Sequence, residues 1–305
     1  MDYKSINLVW LSKTDLANMN AGEGSSNIVE IKTYSNNQKP YISGQAVRHA
    51  LREAISRENP KSFKCTPEAP CCDIENCWLC DMFGFLNPMK GSGSDRRWSP
   101  IKMTPALGQI SNEIVTDMLT RMSDLLKEGG ETNSKKKDQR IAYIQLMENV
   151  YKTGFSLDIA NLGKTVKPNI KDRVIQSFEE EKYYEDDEKK ERIKAVINGV
   201  WNLSDFAKQA RNMASLSPEI VVASMQKVYN HNIQKAIQLD DEGNINCSRF
   251  KTTIDDAKQE GNEIFVGYVS GVLQNEEKFL ETLEEMDDID LISPASVKEN
   301  IINKF

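Results

Sequence analysis

Three observations predict an α+β fold, an open sheet backed by helices on one face. Ile6, Leu8 and Trp10 recur with the period of two that marks a half-buried strand. Residues 28–33, Ile-Val-Glu-Ile-Lys-Thr, give a second strand after a polar, glycine-containing loop. The chain then runs through Lys39-Pro-Tyr-Ile-Ser into a two-faced helix, whose apolar arc needs a sheet face to cover it.

That helix, within residues 41–57, is the element around which the rest is organised. Ser43 is placed to be its N-cap, and Gly44 lets the backbone turn sharply. On a wheel of about 100° per residue, Ala46, Val47, Ala50, Leu51, Ala54 and Ile55 form the apolar arc. Gln45, Arg48 and Arg52 lie opposite. Free amides behind a Ser-Gly turn, with two guanidiniums on one ridge, suit phosphate oxygens. A solvated ridge pairing with Glu53 or Glu58 is the plainer alternative.

Residues 59–80 shift to Pro, Lys and Cys, with Cys65, Cys71, Cys72, Cys77 and Cys80 close together. Cys77-x-x-Cys80 is a half-site for tetrahedral zinc, because two thiolates at this spacing reach one ion at about 2.3 Å each. The other half comes from Cys65 with either Cys71 or Cys72, since adjacent cysteines rarely share an ion. Such a site is closed and structural. Residues 87–99 follow, combining glycines and serines with Lys90, Arg96, Arg97 and Trp98. A basic loop with an aromatic plate can track a nucleic-acid backbone and stack on a base; a surface hairpin with Trp98 turned into the core is the alternative. The glycines form no phosphate-cradling Walker loop, because no Gly-Lys-Ser/Thr opens a helix there.

Helical spacing of Ile114, Val115, Met118, Leu119, Met122, Leu125 and Leu126 predicts a helix over 111–127, ended by Gly129-Gly130. Residues 131–140 read as an exposed loop or hairpin tip, and 151–160 as a strand. Lys164, Lys167 and Lys171 are candidate phosphate contacts or solvated lysines. Helices are expected over 179–197, 203–213 and 217–239, the last with Ser217 as N-cap and Pro218 at its first position. Residues 263–273 are the candidate late central strand, and 276–286 and 293–303 two further helices.

The 305 residues suffice for one elaborated domain, with insertions expected at about 59–100, 108–145 and 176–240. No signal-peptide core and no apolar run of 18 residues is present, so a soluble, cytoplasmic protein without membrane contact is expected. Clustered cysteines argue for a cytosolic metal knuckle over a disulfide framework. The net charge of −7 is unevenly spread: residues 1–175 carry 24 basic and 20 acidic side chains, residues 176–305 carry 15 and 26. Acid gathers at 179–191 and 276–290, leaving the first half free to present a basic groove.

Asn18-Met-Asn-Ala-Gly-Glu-Gly, then Ser43-x-Gln-x-x-Arg-x-x-x-Arg52, then Cys77-Trp-Leu-Cys-Asp-Met-Phe-Gly84 and Arg96-Arg-Trp-Ser-Pro-Ile101 follow in an order that resembles one family. It is the CRISPR-associated backbone subunit of Cascade, the seventh Cas family of the RAMP superfamily, and within it the DevR-like type I-B branch. The likeness runs from about Ile6 to about Leu273. It implies an RRM-like, ferredoxin-like palm carrying the insertions. It also implies a non-catalytic function in antiviral defence: copies polymerise as a helical filament along a CRISPR RNA, grip its backbone and present it to a target DNA strand beside other Cascade subunits. Pairing then supplies sequence specificity. The implied RNA contacts are Asn18 and Asn20 in the first loop and Ser43, Gln45, Arg48 and Arg52 on the helix, with His49 where relatives carry a second basic residue. A thumb-like hairpin is implied too, either 131–140 or 87–99.

Two other functions compete. A RAMP-type ribonuclease would use Asp95, but His49 and His231 lie far apart without a companion motif. A zinc-knuckle transcriptional regulator would show a compact recognition helix, and here the single basic helix lies between sheet elements.

Overall fold

A computed structural model of the chain describes residues 2–21, 28–35, 38–88, 91, 94–124, 137–286 and 289–305. Lys90 and most of 131–140 lie outside them, as does the tip of the 87–99 loop. The fold is α+β. Strand β1 (Ser5–Ala17) leads through the first loop to the short β2 (Ile28–Val29), β3 (Thr33–Tyr34) and β4 (Lys39–Ile42), then helix α1 (Gly44–Glu58). After the cysteine segment come β5 (Phe85–Pro88), β6 (Ser94–Arg97), β7 (Ile101–Met103), β8 (Ala106–Gly108), β9 (Val115–Asp124) and the long β10 (Lys137–Asp158). β11 (Lys164–Lys171) and β12 (Val174–Lys182) form a hairpin ahead of α2 (Asp186–Trp201) and the single turn α3 (Gln209–Asn212). β13 (Ile220–Gln226), α4 (Cys247–Gln259), β14 (Glu263–Gly267), α5 (Glu276–Glu284), β15 (Leu291–Ile292) and α6 (Pro294–Ile302) complete the chain.

The central sheet runs β15-β14-β13-β1-β10-β8-β4-β3, with β2, β7 and β9 also paired to β10. β1 lies between β10 and β13, antiparallel to both, with Trp10 opposite Thr153 and Val221. Both faces of the sheet are covered, where a helical layer on one face alone is expected from the sequence. Ile6, Leu8 and Trp10 pack with Leu51 of α1, Ile193 and Val196 of α2 and Val297 of α6. Val9 and Leu11 pack with Phe250 and Ile254 of α4 and Phe279 of α5. A strand buried on both faces needs apolar side chains at successive positions, as in Leu8-Val-Trp-Leu11. Asn7, the polar residue just before that run, is buried and hydrogen-bonded to the Gln226 side chain at 2.7 Å.

Four expected helices change. Residues 115–124 are strand β9, paired along β10 from Val115 opposite Leu146 to Asp124 opposite Lys137. Thr116 and Thr120 break the helical preference, and β10 offers a ladder that local propensity cannot foresee. Residues 220–226 are β13, buried along its whole length; the Ile-Val-Val run suits a central strand, and Ser217 donates to the Trp201 carbonyl at 2.7 Å instead of capping a helix. Over 203–213 only α3 is helical, with left-handed Lys208 and Met213 on either side. Residues 179–182 end strand β12, so the helix begins at Asp186. The late strand β14 is shorter than 263–273 and lies one place from the sheet edge, not at the centre. Helix α4, capped by the Asn246 side chain accepting from the Arg249 amide, and the β11–β12 hairpin are not foreseen from sequence.

Candidate functional site

Helix α1 forms where its N-cap predicts: the Ser43 hydroxyl accepts from the Ala46 amide at 3.2 Å. Val47, Ala50, Leu51, Ala54 and Ile55 are buried beneath it. Its polar ridge divides in two. Arg48 turns inward, donating to the Ile101 and Phe83 carbonyls at 2.8 and 2.6 Å and to the Ser99 hydroxyl at 2.8 Å, with its guanidinium over the Phe83 ring. Burial and the neighbouring Arg52 lower its pKa. Gln45 and His49 stay exposed, and Arg52 reaches the His49 ring nitrogen at 2.6 Å and the Glu53 carboxylate at 3.4 Å.

Asn18 and Asn20 are buried beneath the start of this helix. Asn18 donates to the carbonyls of Glu30 and Gln145, and Asn20 donates to the Tyr41 carbonyl while its oxygen accepts from the Ser43 amide at 3.0 Å. Their amide groups hold the first loop against the sheet, and the Lys208 ammonium binds the Asn18 and Asn20 carbonyls from the other side. The three polar residues of the first loop and helix start therefore form one hydrogen-bonded junction.

A groove of about 530 Å³ opens beside the β5–β6 hairpin. Arg96, Trp98, Lys102, Lys164 and Lys167 line it, together with the acids Asp95 and Asp158. Trp98 is 81% exposed, so its ring is not a core residue, and the Arg96 guanidinium lies 5.4 Å from the ring centre. Gly84, at φ 71, passes so close to the hairpin that a Cβ would lie 2.4 Å from the Arg97 carbonyl oxygen. Lys102 stands over the Tyr229 ring at 4.7 Å, beside His231. Lys164 pairs with Glu180 at 2.6 Å across the β11–β12 hairpin. Arg97 differs from its neighbour. It is buried, and it donates to the Asp81 carboxylate at 2.5 Å and to the carbonyls of Asp81, Asn161 and Lys164.

The site residues expected from sequence thus fall into exposed groups, Gln45, His49, Arg96, Trp98 and the partly covered Arg52 and Lys164, and inward ones, Asn18, Asn20, Arg48 and Arg97. Lys102 is not among those expected. Its signal is the alternation of Ile101-Lys102-Met103, which turns one lysine outward between two apolar neighbours.

Beneath the groove, Cys65, Cys71, Cys77 and Cys80 place their sulfurs within 4.8 Å of one another. The closer pairs lie 3.5 to 3.7 Å apart. Tetrahedral zinc with bonds of about 2.3 Å requires sulfurs roughly 3.8 Å apart, so this set fits a closed metal site. Cys72 is outside it, at φ 60 with its thiol toward the Pro70 carbonyl; of the two adjacent cysteines, Cys71 is the one whose sulfur lies with the other three. The hydrogen bond between the Cys80 and Cys77 thiols lowers the pKa of Cys77 and raises that of Cys80, while burial raises that of Cys65, so the sulfurs titrate as one cluster.

Among known proteins, the family described as CRISPR-associated negative auto-regulator DevR/Csa2 matches residues 52–242. No curated protein matches the sequence. Among solved structures, a chain of a "CRISPR RNA-guided surveillance complex" superposes with a TM-score of 0.60 at 11% identity, over 98% of this chain and 99% of that one. A chain of a "CRISPR RNA-guided surveillance complex, pre-nicking" gives 0.62 at 9% identity over the same shares. At these identities the likeness is one of fold.

Proposed function

Since this chain belongs to the CRISPR-associated DevR/Csa2 family, which its match over residues 52–242 establishes, we propose that it is a non-catalytic, CRISPR-RNA-binding backbone subunit of a type I-B Cascade surveillance complex in the cytoplasm. The observation that carries this reading is the exposed Trp98 beside Arg96, at the mouth of a groove that also holds Lys102, Lys164 and Lys167. An aromatic plate next to several cations suits a single strand, whose bases offer a π-face of any sequence and whose phosphates need neutralising. Gln45, His49 and Arg52 on α1 extend the polar surface. The guide held in this way pairs with the target DNA strand, and further copies and other subunits continue the assembly along it.

The chain is read as one RRM-like palm from 1 to 305 with the three insertions, and β9–β10 is read as the thumb, because β9 ends at Asp124 and β10 begins at Lys137, on either side of most of the Lys-rich segment expected to supply it. Zinc at Cys65, Cys71, Cys77 and Cys80 closes the cysteine insertion and supplies folding energy, not chemistry.

The test is binding to fluorescent single-stranded RNA of several sequences, with single-stranded and duplex DNA alongside. Similar affinity for every RNA sequence, weakening as salt rises, is expected. Preference for one duplex DNA sequence would overturn the reading in favour of a regulator, and shortening of the RNA in favour of a nuclease.

A further inference from the structure

Asp81 is fully buried and follows the ligand-set residue Cys80 directly, on a single wide turn, Leu79–Phe83. One carboxylate oxygen accepts from Arg97 at 2.5 Å and from the Gly163 amide at 3.1 Å; the other accepts from Arg192 at 2.8 Å and from the Tyr184 hydroxyl. These donors come from distant parts of the chain. Arg97 ends β6 and also holds the Asn161 and Lys164 carbonyls at the root of the β11–β12 hairpin. Arg192, buried in α2, reaches back to the Ile74 and Glu75 carbonyls, in the segment between Cys71 and Cys77. Gly163, at φ 68, lies under the Tyr184 ring so closely that a Cβ would overlap it. The carboxylate therefore joins the cysteine loop to both walls of the groove, β6 on one side and the start of β11 on the other.

We propose that the cysteine centre sets the shape of the groove through Asp81, so that a metal held there acts on the nucleic-acid site without touching it. The part that concerns RNA rests on the function proposed above. A metal pins Cys71, Cys77 and Cys80, and thereby the 71–77 segment that supplies two acceptors to Arg192. Loosening that segment removes those acceptors, frees Arg192 and shifts the carboxylate on which Arg97 depends. A buried charge network of this kind tolerates little displacement, because each group left without its partner stays out of water. Asp81 is thus a positioning residue for Arg96, Trp98 and Lys164.

The test is amide hydrogen exchange on the full chain, as purified and after a chelator has removed its metal, which needs no RNA. Faster exchange is expected over 94–99 and 161–184, which contribute no cysteine, as well as over 65–80. An effect confined to 65–80, or exchange that rises equally everywhere, would overturn the proposal. Asp81→Asn should keep its metal while loosening 94–99 and 161–184 in the same way. If that variant does not fold, Tyr184→Phe removes a single donor and should loosen 161–184 alone; unchanged exchange there would equally overturn the coupling. For RNA, Asp81→Asn should bind oligouridylate about tenfold more weakly, since Trp98 and the cations beside it remain but are misplaced. If the wild type bound no RNA while the exchange result held, the functional reading would fall and the coupling would stand.

Discussion

Arg96, Arg97 and Trp98 are consecutive, yet they divide between solvent and interior: Arg97 is committed to Asp81 while its neighbours face the groove. The proposed RNA-binding residues therefore separate by measurement. Trp98→Ala should weaken single-stranded RNA binding by about tenfold, the scale of one missing stack, and leave the salt slope unchanged. Lys102→Ala with Lys167→Ala should lower that slope by about 0.7 for each phosphate no longer neutralised. If neither variant changes binding, the groove is not the RNA site. Arg48 behaves otherwise, because its hydrogen bonds all go to the Phe83 and Ile101 carbonyls and the Ser99 hydroxyl. Arg48→Ala should cost about 2–4 kcal/mol of stability in chemical denaturation, with little change in the salt dependence of what remains folded. A lowered slope at full stability would return Arg48 to the phosphate-binding set. Lys152, whose ammonium is buried against the Ile237 carbonyl, has its pKa lowered to about 8 by that burial. Between about pH 8 and 10 the unfolded chain holds this proton more tightly than the folded one, so its burden on stability is relieved as pH rises. Stability of the wild type relative to Lys152→Met should climb through that window; a flat difference would show the ammonium to be well solvated.

Among the elements, the cysteine cluster was legible because Cys77-x-x-Cys80 is a local signature, and the fold brings Cys65, Cys71, Cys77 and Cys80 within 4.8 Å of one another. Elemental analysis of protein purified without added metal should find about one zinc per chain. Cys77→Ser should lose both the ion and the fold, whereas Cys72→Ser should keep both, since Cys72 lies outside the ligand set. Protein that is metal-free and fully stable would end the zinc reading. The hairpins were less legible. In β9, apolar residues at 115, 118, 119 and 122 satisfy a helical period, and only the long β10 partner decides that they lie on a strand. The β11–β12 hairpin was hidden for another reason. It leaves Val166, Ile170, Ile175 and Phe178 exposed, so it lacks the alternation of a strand with one buried face.

For the molecule in its entirety, the charge asymmetry of a mildly basic first half and an acidic second half bears on assembly. Copies arranged head to tail would set acidic segments against the basic groove of a neighbour, and such an interface does not close on itself. Electrostatic attraction alone is screened beyond about 8 Å at physiological salt, so such an assembly is expected to need an RNA template as well. Light scattering with single-stranded RNAs of increasing length should show mass rising in steps; a constant mass at every length would exclude filament growth.

The α+β class, helix α1 with its Ser43 cap, the cysteine half-site and the family could all be read from the residues in order, because each depends on groups close together along the chain. Which basic residues remain free was settled only by the folded arrangement. Arg48 and Arg97 look like their exposed neighbours in sequence, and whether a guanidinium meets solvent or a buried carbonyl depends on elements that arrive from elsewhere, as Ser99 does for Arg48 and Asn161 for Arg97. The same holds for Asp81. Nothing near it in the chain announces a charge hub, since its partners Arg192 and Tyr184 lie more than a hundred residues away and meet it only when α2 packs over the cysteine loop. Local patterning selects elements through backbone propensity and burial of one face, whereas the pairing of buried charges is set by segments distant in sequence.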